Sequence, residues 1–361
     1  MGKINHPTSL NQYNAIGIMS GSSLDGVDFC LVSFREGSSW SFEIQQSTTI
    51  PIPDEIKHEL KKSDALTGYE LSRLDIRYGE WIGQQLKAFS PQNQRIDAVG
   101  FHGHTVFHEP ENKLSLQIGN GLVISSVSGL PVVDDFRTKD ILLGGQGAPL
   151  VPKGETLLFP GYKAWINLGG IANITVENSE NVLAWDIAPC NQVFNFFAQK
   201  LNVPYDNDGA LAKEGSLDEK WIDGLKDLPY FKTKPPKSMS NQWITEHILK
   251  YQPKDPKNAL HSYAEFLAAE IAQSVGLYLR GKERVLVTGG GAHNSYLLGR
   301  IKIFLKDKNI EIIKPSVAII DFKEALIFGF LGLLRKLGIP NTLGMATGAS
   351  KDTVSGTLHL P

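Results

Sequence analysis

The chain has 361 residues, of which 42% are hydrophobic and 20% charged, a balance typical of a folded protein with about two domains. The formal net charge of −2, with no run of Lys or Arg, gives no indication of a nucleic-acid-binding surface. The N-terminal segment is polar, unlike a secretory signal or a membrane span, and the two cysteines cannot form a disulfide framework, so we expect a cytoplasmic protein.

The first predicted element is a hairpin over residues 16–34. Two apolar runs flank a turn of small and acidic residues, which is typical of strands joined by an exposed loop. Glycines allow backbone N–H groups to converge on an anion and serine hydroxyls add donors, so the turn is a candidate phosphate loop. Asp25 and Asp28 would then hold Mg²⁺ or its bound water. The same residues also suit a plain polar turn.

Several strands and one long helix are predicted to follow. Residues 69–89 carry apolar side chains at helical spacing, which predicts an amphipathic helix. The glycine-rich residues 143–150 are predicted to form a hinge or interdomain loop, and Arg137 lies at the end of the strand before them. Strands are also predicted at 40–50, 96–101, 114–118 and 131–133.

The opening pattern recurs in the second half of the chain. Its order of strand, small-residue turn, strand, further strand and helix suggests two related α/β halves. Residues 202–258 contain six prolines and predict loops with short helices. The recurring elements are predicted to be a strand at 164–167, a glycine turn at 168–173, strands at 174–176 and 182–186, and a helix at 191–201.

A third glycine turn, at residues 288–294, follows a strand and precedes a helix that begins at Ser295. This arrangement accepts a phosphate, or lets a nucleotide lie on bare backbone. The hydrophobic helix predicted at 322–337 contains one acid, Glu324, in its first turn. The remaining predicted elements are a helix at 262–279 and strands at 285–287 and 310–313.

Eight segments together resemble the anhydro-N-acetylmuramic acid kinases, a family of the actin/hexokinase/Hsp70-type ATPase superfamily. The resemblance implies an α/β fold of two RNase H-like domains with an interdomain cleft. It predicts an N-terminal domain at 1–137, joined by 338–361, and a C-terminal domain at 138–337. The segments are GIMSGSSLDGVD (17–28), GFHGHTVFHEP (100–110), LQIGN (116–120), VVDDFRTKDILLGGQGAPLVP (132–152), INLGGIANIT (166–175), VTGGGAHN (287–294), EALIFGFLG (324–332) and TGAS (347–350).

The resemblance implies an ATP-dependent sugar kinase of peptidoglycan recycling. It would convert 1,6-anhydro-N-acetylmuramic acid, ATP and water to N-acetylmuramic acid 6-phosphate and ADP, with hydrolytic opening of the anhydro ring. This chemistry requires a base for the water, an O6 aimed at the γ-phosphoryl group, and donors with Mg²⁺ around the phosphate charge. The implied partners are ATP and the amino sugar, with neither nucleic acid nor membrane; a homodimer stays open.

Matching the family's motifs residue by residue implies that Asp186 is the catalytic base. The family reads Asp-Thr-Gly-Pro-Gly-Asn at this point, whereas this chain reads Asp-Ile-Ala-Pro-Cys-Asn over 186–191, so two glycines give way to residues that resist positive φ. We expect a loop recast around a working base, with an altered substrate fit as the alternative. The implied sugar contacts are His102, Thr105, Arg137 and Glu324.

The resemblance also implies the nucleotide site, with Asp25 binding Mg²⁺ through water. The family segment Pro-Pro-Lys-Ser is kept at 235–238, but its continuation Thr-Gly-Arg-Glu is lost, and we assign no role to it. The implied nucleotide contacts are Gly21, Ser22, Ser23, Leu24, Asp25, Gly26, Val27 and Asp28 in the first phosphate loop, Gly169 and Gly170 in the second, and Gly290, Gly291 and Asn294 in the adenosine turn.

Other functions stay open. His102, His104, His108 and Glu109 are dense enough for a metal site, because His102 and His104 would share one face of an extended strand. The changed loop after Asp186 keeps open a non-catalytic or altered-specificity homologue that binds nucleotide or amino sugar. An Hsp70-like ATPase module is a third hypothesis, which we do not favour because no peptide-binding segment follows in the sequence.

Overall fold

The computed structural model of the protein describes residues 11–21, 24, 26–178, 181–235, 237–250 and 252–361. The chain folds into two compact units. The first unit is the chain up to Pro160 together with Phe322–Pro361, and the second is Gly161–Asp321. This division groups residues 138–160 and 322–337 with the first unit, whereas the predicted boundaries group them with the C-terminal domain; the functional domain boundaries stay a prediction.

Strands in the described residues form two larger sheets and one two-stranded ribbon. They are β1 (Asn11–Ser20), β2 (Val27–Glu36), β3 (Trp40–Ile50), β4 (Ala98–Phe101), β5 (His104–Glu109), β6 (Leu114–Ile118), β7 (Val132–Asp134), β8 (Ala164–Leu168), β9 (Ile171–Glu177), β10 (Val182–Pro189), β11 (Glu283–Thr288), β12 (Ile310–Ile313) and β13 (Thr357–His359).

The α-helices of the described residues are mostly short, with long ones following β3 and in the last third of the chain. They are α1 (Asp54–Leu60), α2 (Gly68–Phe89), α3 (Gly121–Ser128), α4 (Thr138–Leu142), α5 (Val151–Leu158), α6 (Asn191–Gln199), α7 (Ala210–Glu214), α8 (Glu219–Lys226), α9 (Pro229–Lys232), α10 (Asn241–Ile244), α11 (Pro256–Tyr278), α12 (Ser295–Leu305), α13 (Val317–Leu337) and α14 (Gly344–Thr347). No helix of the described residues has the length and apolarity needed to span a bilayer.

The two larger sheets share the topology of five strands, and the first sheet has β13 as a sixth strand, antiparallel to β7. In the first unit the strand order is β13-β7-β4-β1-β2-β3, and in the second it is β10-β9-β8-β11-β12. In each sheet the first three strands pair antiparallel, while the later strands β4 and β7, or β11 and β12, run parallel to the first. The predicted α/β fold with two related halves is therefore confirmed.

Helix α2 covers the first sheet. Thr67 caps it reciprocally: the Thr67 hydroxyl accepts from the backbone N–H of Glu70 at 3.3 Å, and the Glu70 carboxylate accepts from the N–H of Thr67 at 2.9 Å. Leu74, Tyr78 and Ile82 then recur at helical spacing and are buried in one hydrophobic cluster with the sheet. The sequence pattern thus predicted both the helix and the face that it buries.

Close approach of β1 and β4 to helix α13 explains several glycines of the sequence motifs. A Cβ built on Gly17 would lie 1.6 Å from the carbonyl oxygen of Ala325, and one on Gly100 would lie 1.9 Å from that of Phe328. Gly329 of α13 meets the backbone of Gly17 in the same way, since a Cβ on Gly329 would lie 2.8 Å from the nitrogen of Gly17. These glycines allow the helix backbone to pack directly on the strands.

Strand β3 forms one edge of the first sheet and contains a bulge. Leu31 pairs with Gln46 and Val32 pairs with Ile44, so Gln45 is the extra residue. The side chain of Gln45 accepts a hydrogen bond from the amide of Gln94 at 2.7 Å.

In the second unit, α11 forms the centre of the hydrophobic core. Tyr263, Phe266 and Ile271 are buried there in one cluster with Ile166 of β8. The predicted glycine turn at 168–173 is shorter than expected, because β8 extends to Leu168 and β9 begins at Ile171, which leaves Gly169 and Gly170 as the turn.

Three further local predictions are corrected. Strand β10 runs on to Pro189, so Asp186 lies within the strand rather than at its end. Helix α13 begins at Val317, so Glu324 is well inside it rather than in its first turn. Strand β7 ends at Asp134, and Arg137 is the residue that precedes α4.

The glycine-rich residues 143–150 are held within the first unit. The backbone N–H of Gly147 donates to Asp140 at 2.8 Å, and that of Gln146 donates to the carbonyl of Thr347 at 2.8 Å. Because these partners belong to the same unit, the contacts do not support the predicted hinge or interdomain loop.

Candidate active site

The first phosphate loop is only partly described. Its residues Ser22, Ser23 and Asp25 lie outside the described residues, so the predictions for them stay untested. Leu24 has a φ of 56°, and its N–H donates to the carbonyl of Gly21 at 3.1 Å. Gly26 and Val27 lead into β2, where Asp28 accepts a hydrogen bond from the Thr49 hydroxyl at 2.6 Å.

Arg137 and His102 form a buried pair in the first unit. The Arg137 guanidinium donates from Nη1 to the carbonyl of Gly147 at 2.7 Å, and its Nη2 lies 2.6 Å from Nε2 of His102. The other ring nitrogen of His102, Nδ1, lies 2.8 Å from the carbonyl of Gly103. A carbonyl can only accept, so Nδ1 carries the proton and Nε2 accepts from Arg137. The ring is therefore neutral and fixed in orientation.

Burial and the guanidinium both act on the protonation of this pair. Burial, followed by the charge of Arg137, lowers the pKa of His102 to about 3. Burial also lowers the pKa of Arg137 to about 10, although the charge of Glu324 opposes this effect. The Nε of Arg137 is buried and has no hydrogen-bond partner among the described residues. A buried cation with an unpartnered donor suits an anionic or hydroxyl-rich ligand.

Glu324 contributes an acid to the same unit. Burial raises the pKa of its carboxyl, while the charges of Lys323 and Arg137 oppose the rise. The negative charges of Asp28 and Glu155 raise the pKa of Glu324 further. The neighbouring Lys323 is itself buried in an ion pair with Glu155 at 2.5 Å. The predicted sugar contacts Arg137, His102 and Glu324 are thus electrostatically coupled.

The remaining histidines of this region have separate partners. Gly103, with a φ of 80°, separates His102 at the end of β4 from His104 at the start of β5, so the two do not share a strand face. His104 lies 3.4 Å from the hydroxyl of Ser63, and His108 lies 3.1 Å from that of Ser115. Within the described ranges no group of three His, Cys, Asp or Glu could hold a metal ion. The structure therefore does not favour the histidine metal site.

Thr105 lies on β5 and is exposed. Its hydroxyl accepts a weak hydrogen bond from the amide of Gln117 at 3.4 Å. It is not connected to the Arg137–His102 pair by any hydrogen bond of the described residues, and its predicted role as a sugar contact stays a prediction.

The predicted second phosphate loop and the predicted adenosine turn come together in the second unit. The N–H groups of Asn191 and Gln192, at the start of α6, donate to the carbonyls of Gly169 and Gly170 at 3.0 and 3.3 Å. The Asn191 amide donates to the carbonyl of Leu168 at 3.1 Å. In the adenosine turn, a Cβ on Gly291 would lie 2.8 Å from the Leu168 side chain.

Gly290 and Asn294 belong to the same turn. A Cβ on Gly290 would have its nearest neighbour, the Asn191 amide, at 3.5 Å, so this glycine is not required by packing. Asn294 is buried, and its Oδ1 caps α12 by accepting from the N–H of Leu297 at 2.9 Å. The cap leaves the Asn294 amide nitrogen for another partner.

Asp186 lies on β10, the edge strand of the second sheet, and is half-buried. Its N–H donates to the carbonyl of Lys237 at 2.9 Å, and its carbonyl accepts from the Tyr230 hydroxyl at 2.7 Å. Its Oδ2 accepts from the N–H of Met239 at 3.1 Å. Burial raises the pKa of this carboxyl, and the Met239 bond partly opposes the rise. Among the described residues no hydrogen bond reaches Oδ1.

Neither residue that replaces a glycine of the family motif adopts a positive φ. Ala188 is paired with Ala172 in the sheet, and Cys190 has a φ of −128°. The pairing skips Ile187, so a bulge follows Asp186 directly. Neither Ala188 nor Cys190 is in the left-handed region, so in this chain the backbone does not require the glycines that are missing.

Tyr230, Lys237 and Met239 surround Asp186, although the sequence predicted no role for them. The one sequence signal was the retained Pro-Pro-Lys-Ser at 235–238, which contains Lys237. These contacts involve backbone groups and a tyrosine that is over 40 residues away in the sequence. Such contacts produce no periodic sequence pattern from which they could be predicted.

A family model described as "Anhydro-N-acetylmuramic acid kinase" matches residues 13–361. The chain is similar to the activator of 2-hydroxyisocaproyl-CoA dehydratase from Clostridium difficile with bound ADPNP, at 14% identity, 90% of this chain, 96% of that chain and a TM-score of 0.44. It is also similar to a ROK hexokinase from Thermus thermophilus, at 12% identity, 89% of this chain, 99% of that chain and a TM-score of 0.39.

Proposed function

The chain belongs to the anhydro-N-acetylmuramic acid kinase family, as its motifs predicted, and we propose that it phosphorylates 1,6-anhydro-N-acetylmuramic acid with ATP while water opens the anhydro ring. The products are N-acetylmuramic acid 6-phosphate and ADP, and the role is peptidoglycan recycling in the cytoplasm. The observation that supports this best is Asp186, a half-buried carboxyl with a raised pKa and one oxygen left for water.

In the proposed reaction Asp186 is the general base. Its carboxylate accepts a proton from water, and the water oxygen bonds to the anomeric carbon. The bond from that carbon to O6 breaks, O6 bonds to the γ-phosphorus, and ADP leaves. The raised pKa makes the carboxylate a stronger base than an ordinary aspartate, because proton affinity rises with pKa.

Arg137, His102, Thr105 and Glu324 are the proposed sugar contacts. The buried Arg137 Nε has no partner among the described residues, so a ligand oxygen would remove the cost of leaving it unpaired. Neutral His102 orients the guanidinium through its Nε2. Glu324, with its raised pKa, would pair with a sugar hydroxyl.

The proposed nucleotide contacts are the two phosphate loops and the adenosine turn. Gly169 and Gly170 present a backbone turn, and Gly290 has no close packing neighbour, so a nucleotide has room on this backbone. Mg²⁺ would neutralise phosphate charge; the proposal that Asp25 holds it through water concerns a residue outside the described ranges. Asp28, which accepts from Thr49, is a second carboxylate of this loop.

The proposal is tested by comparing product formation by the wild-type protein and by the Asp186→Asn variant. Wild-type protein with ATP, Mg²⁺ and the anhydro sugar should release the 6-phosphate, while the variant should lose at least about 10³-fold in kcat, because the base is removed. ATP affinity, measured by calorimetry, should stay the same. Asp227→Asn, an exposed aspartate of the same unit, is the matched control and should keep wild-type activity.

Two outcomes would contradict parts of the proposal. An active Asp186→Asn enzyme would refute the assignment of the base. Wild-type protein that binds ATP but forms no product would instead favour a non-catalytic or altered-specificity homologue.

A further inference from the structure

Residues 230–235 and 237–239, which we name the strap, lie beside Asp186 at the outer edge of β10; Pro236 is outside the described residues. The strap is anchored at both ends. Phe231 is buried, with its ring 4.9 Å from that of Phe266 in α11, and Ile244 is 1% exposed in the helix that follows the strap. These contacts hold both ends of the strap in the second unit.

The strap provides hydrogen-bond partners for the outward backbone groups of the edge strand β10. Because β10 has a sheet neighbour on one side only, the outward N–H and C=O of Asp186 need partners elsewhere. The carbonyl of Lys237 and the hydroxyl of Tyr230 are those partners, at 2.9 and 2.7 Å. The third contact, from the N–H of Met239 to Oδ2, fixes the carboxylate itself at 3.1 Å.

Lys237 holds the strap in this conformation. Its ammonium donates to the carbonyl of Tyr230 at 2.9 Å and lies 4.4 Å from the centre of the Tyr230 ring. The Tyr230 ring also packs against Trp243 at 5.1 Å. The Lys237 side chain thus ties Lys237 to Tyr230, and the Lys237 carbonyl and the Tyr230 hydroxyl both reach the backbone of Asp186.

We propose that Tyr230 and Lys237 are positioning residues, which keep the strap closed so that the N–H of Met239 holds the Asp186 carboxylate ionised and its Oδ1 aimed at water. This inference rests on the proposed function of Asp186 as the base. It gives a function to the Pro-Pro-Lys-Ser segment, to which the sequence assigned none.

The groups around Asp186 determine what opening the strap should do. Among the described residues, the titratable groups nearest to Asp186 on the packed elements include Tyr230 and Lys237 in the strap, and Tyr263, Glu270 and Tyr278 on α11. Burial raises the pKa of Asp186, and the Met239 N–H is the group that opposes the rise. Loss of that bond should therefore raise the pKa further, so that a larger share of the enzyme carries a protonated, inactive base at low pH.

The first experiment measures kcat/KM against pH for the full-length chain. Activity rises with pH as the base ionises, and in Lys237→Gln and Tyr230→Phe this rise should move up by about one pH unit, with activity largely recovered at high pH. Lys237→Arg keeps a cation over the ring and should restore the wild-type profile. Lys232→Gln removes an exposed lysine of α9 and is the matched control. A uniform loss at every pH, with the rise unmoved, would overturn the proposal.

A second measurement does not depend on activity. Hydrogen–deuterium exchange should become faster at the amides of Asp186 and Met239 in Lys237→Gln and Tyr230→Phe, and stay unchanged in Lys232→Gln. If the wild type makes no product, the proposed function fails, yet faster exchange still supports a closed strap. Unchanged exchange in both variants would overturn the strap proposal whatever the activity. Tyr230→Phe retains the ring and serves if Lys237→Gln does not fold.

Discussion

Five strands are arranged in the same order in the two sheets, but the glycines of the two units have different roles. In the first unit Gly17 and Gly100 lie within strands, where a Cβ would overlap the backbone of α13 at 1.6 and 1.9 Å. In the second unit Gly169 and Gly170 lie in a turn, where the nearest atoms to a Cβ are ends of the Asn167 and Gln192 side chains at 3.2 Å. The glycines of these motifs therefore meet two different requirements. In the first unit they let two backbones pack closely, and in the second they leave space above a turn.

The largest effect expected from this contrast is on stability, in Gly100→Ala. The new methyl meets the carbonyl of Phe328, which is helix backbone and cannot rotate away, so we expect a loss of about 3 kcal/mol in the free energy of unfolding. Urea unfolding measures it. Gly68→Ala, at the start of α2 with no atom within 4 Å, is the control and should be neutral or slightly stabilising. Equal stability of the two variants would refute the backbone-packing account.

The next largest effect is a dependence of stability on pH, which we expect from the buried His102 of the first unit. His102 has a folded pKa of about 3 against an ordinary value of 6.5, so between these values the unfolded chain binds the extra proton. Stability is therefore lost as pH falls through this window, by about 2 kcal/mol at pH 5.

His102→Gln keeps an acceptor for Arg137 but cannot titrate. Urea unfolding at pH 7.5 and pH 5 should show a smaller loss in this variant than in the wild type. An identical loss in the two proteins would mean that His102 is not the group held neutral by folding.

The smallest effect on stability is expected in the turn of the second unit. Gly170→Ala meets only the flexible end of Gln192, so we expect a change below about 1 kcal/mol in unfolding free energy. ATP affinity should nevertheless fall several-fold if the phosphates lie on this turn, as proposed. Calorimetry measures the affinity, and an unchanged dissociation constant would remove Gly170 from the proposed nucleotide site.

Local patterns predicted the fold well where one face of an element is buried. The spacing of Leu74, Tyr78 and Ile82 indicated helix α2, and the bounds of β3 agree with the strand predicted at 40–50. The predicted end of strand β10 was wrong, because the residues after Asp186 have no local sequence pattern typical of a strand. Strand β10 runs past Asp186 because Ala188 and Pro189 pair with β9, and such pairing is set by a partner strand rather than by the residues themselves.

The candidate site shows the same limit. Resemblance to the family pointed to His102, Arg137 and Glu324, and the structure adds their coupling through burial and charge. The sequence could not indicate the strap, because its contacts to Asp186 come from the N–H of Met239, the carbonyl of Lys237 and the hydroxyl of Tyr230. Two of these are backbone groups, and their hydrogen bonds do not depend on which side chain the residue carries.

The bulge at Gln45 bears on how the protein behaves in concentrated solution. An edge strand of regular spacing offers a row of backbone groups on which a strand of another molecule can align, the first step of ordered aggregation. The extra residue breaks that spacing midway along β3, and its side chain is engaged by Gln94. Only short regular stretches remain on either side, so the longest exposed edge of the first sheet is a poor template for fibril growth.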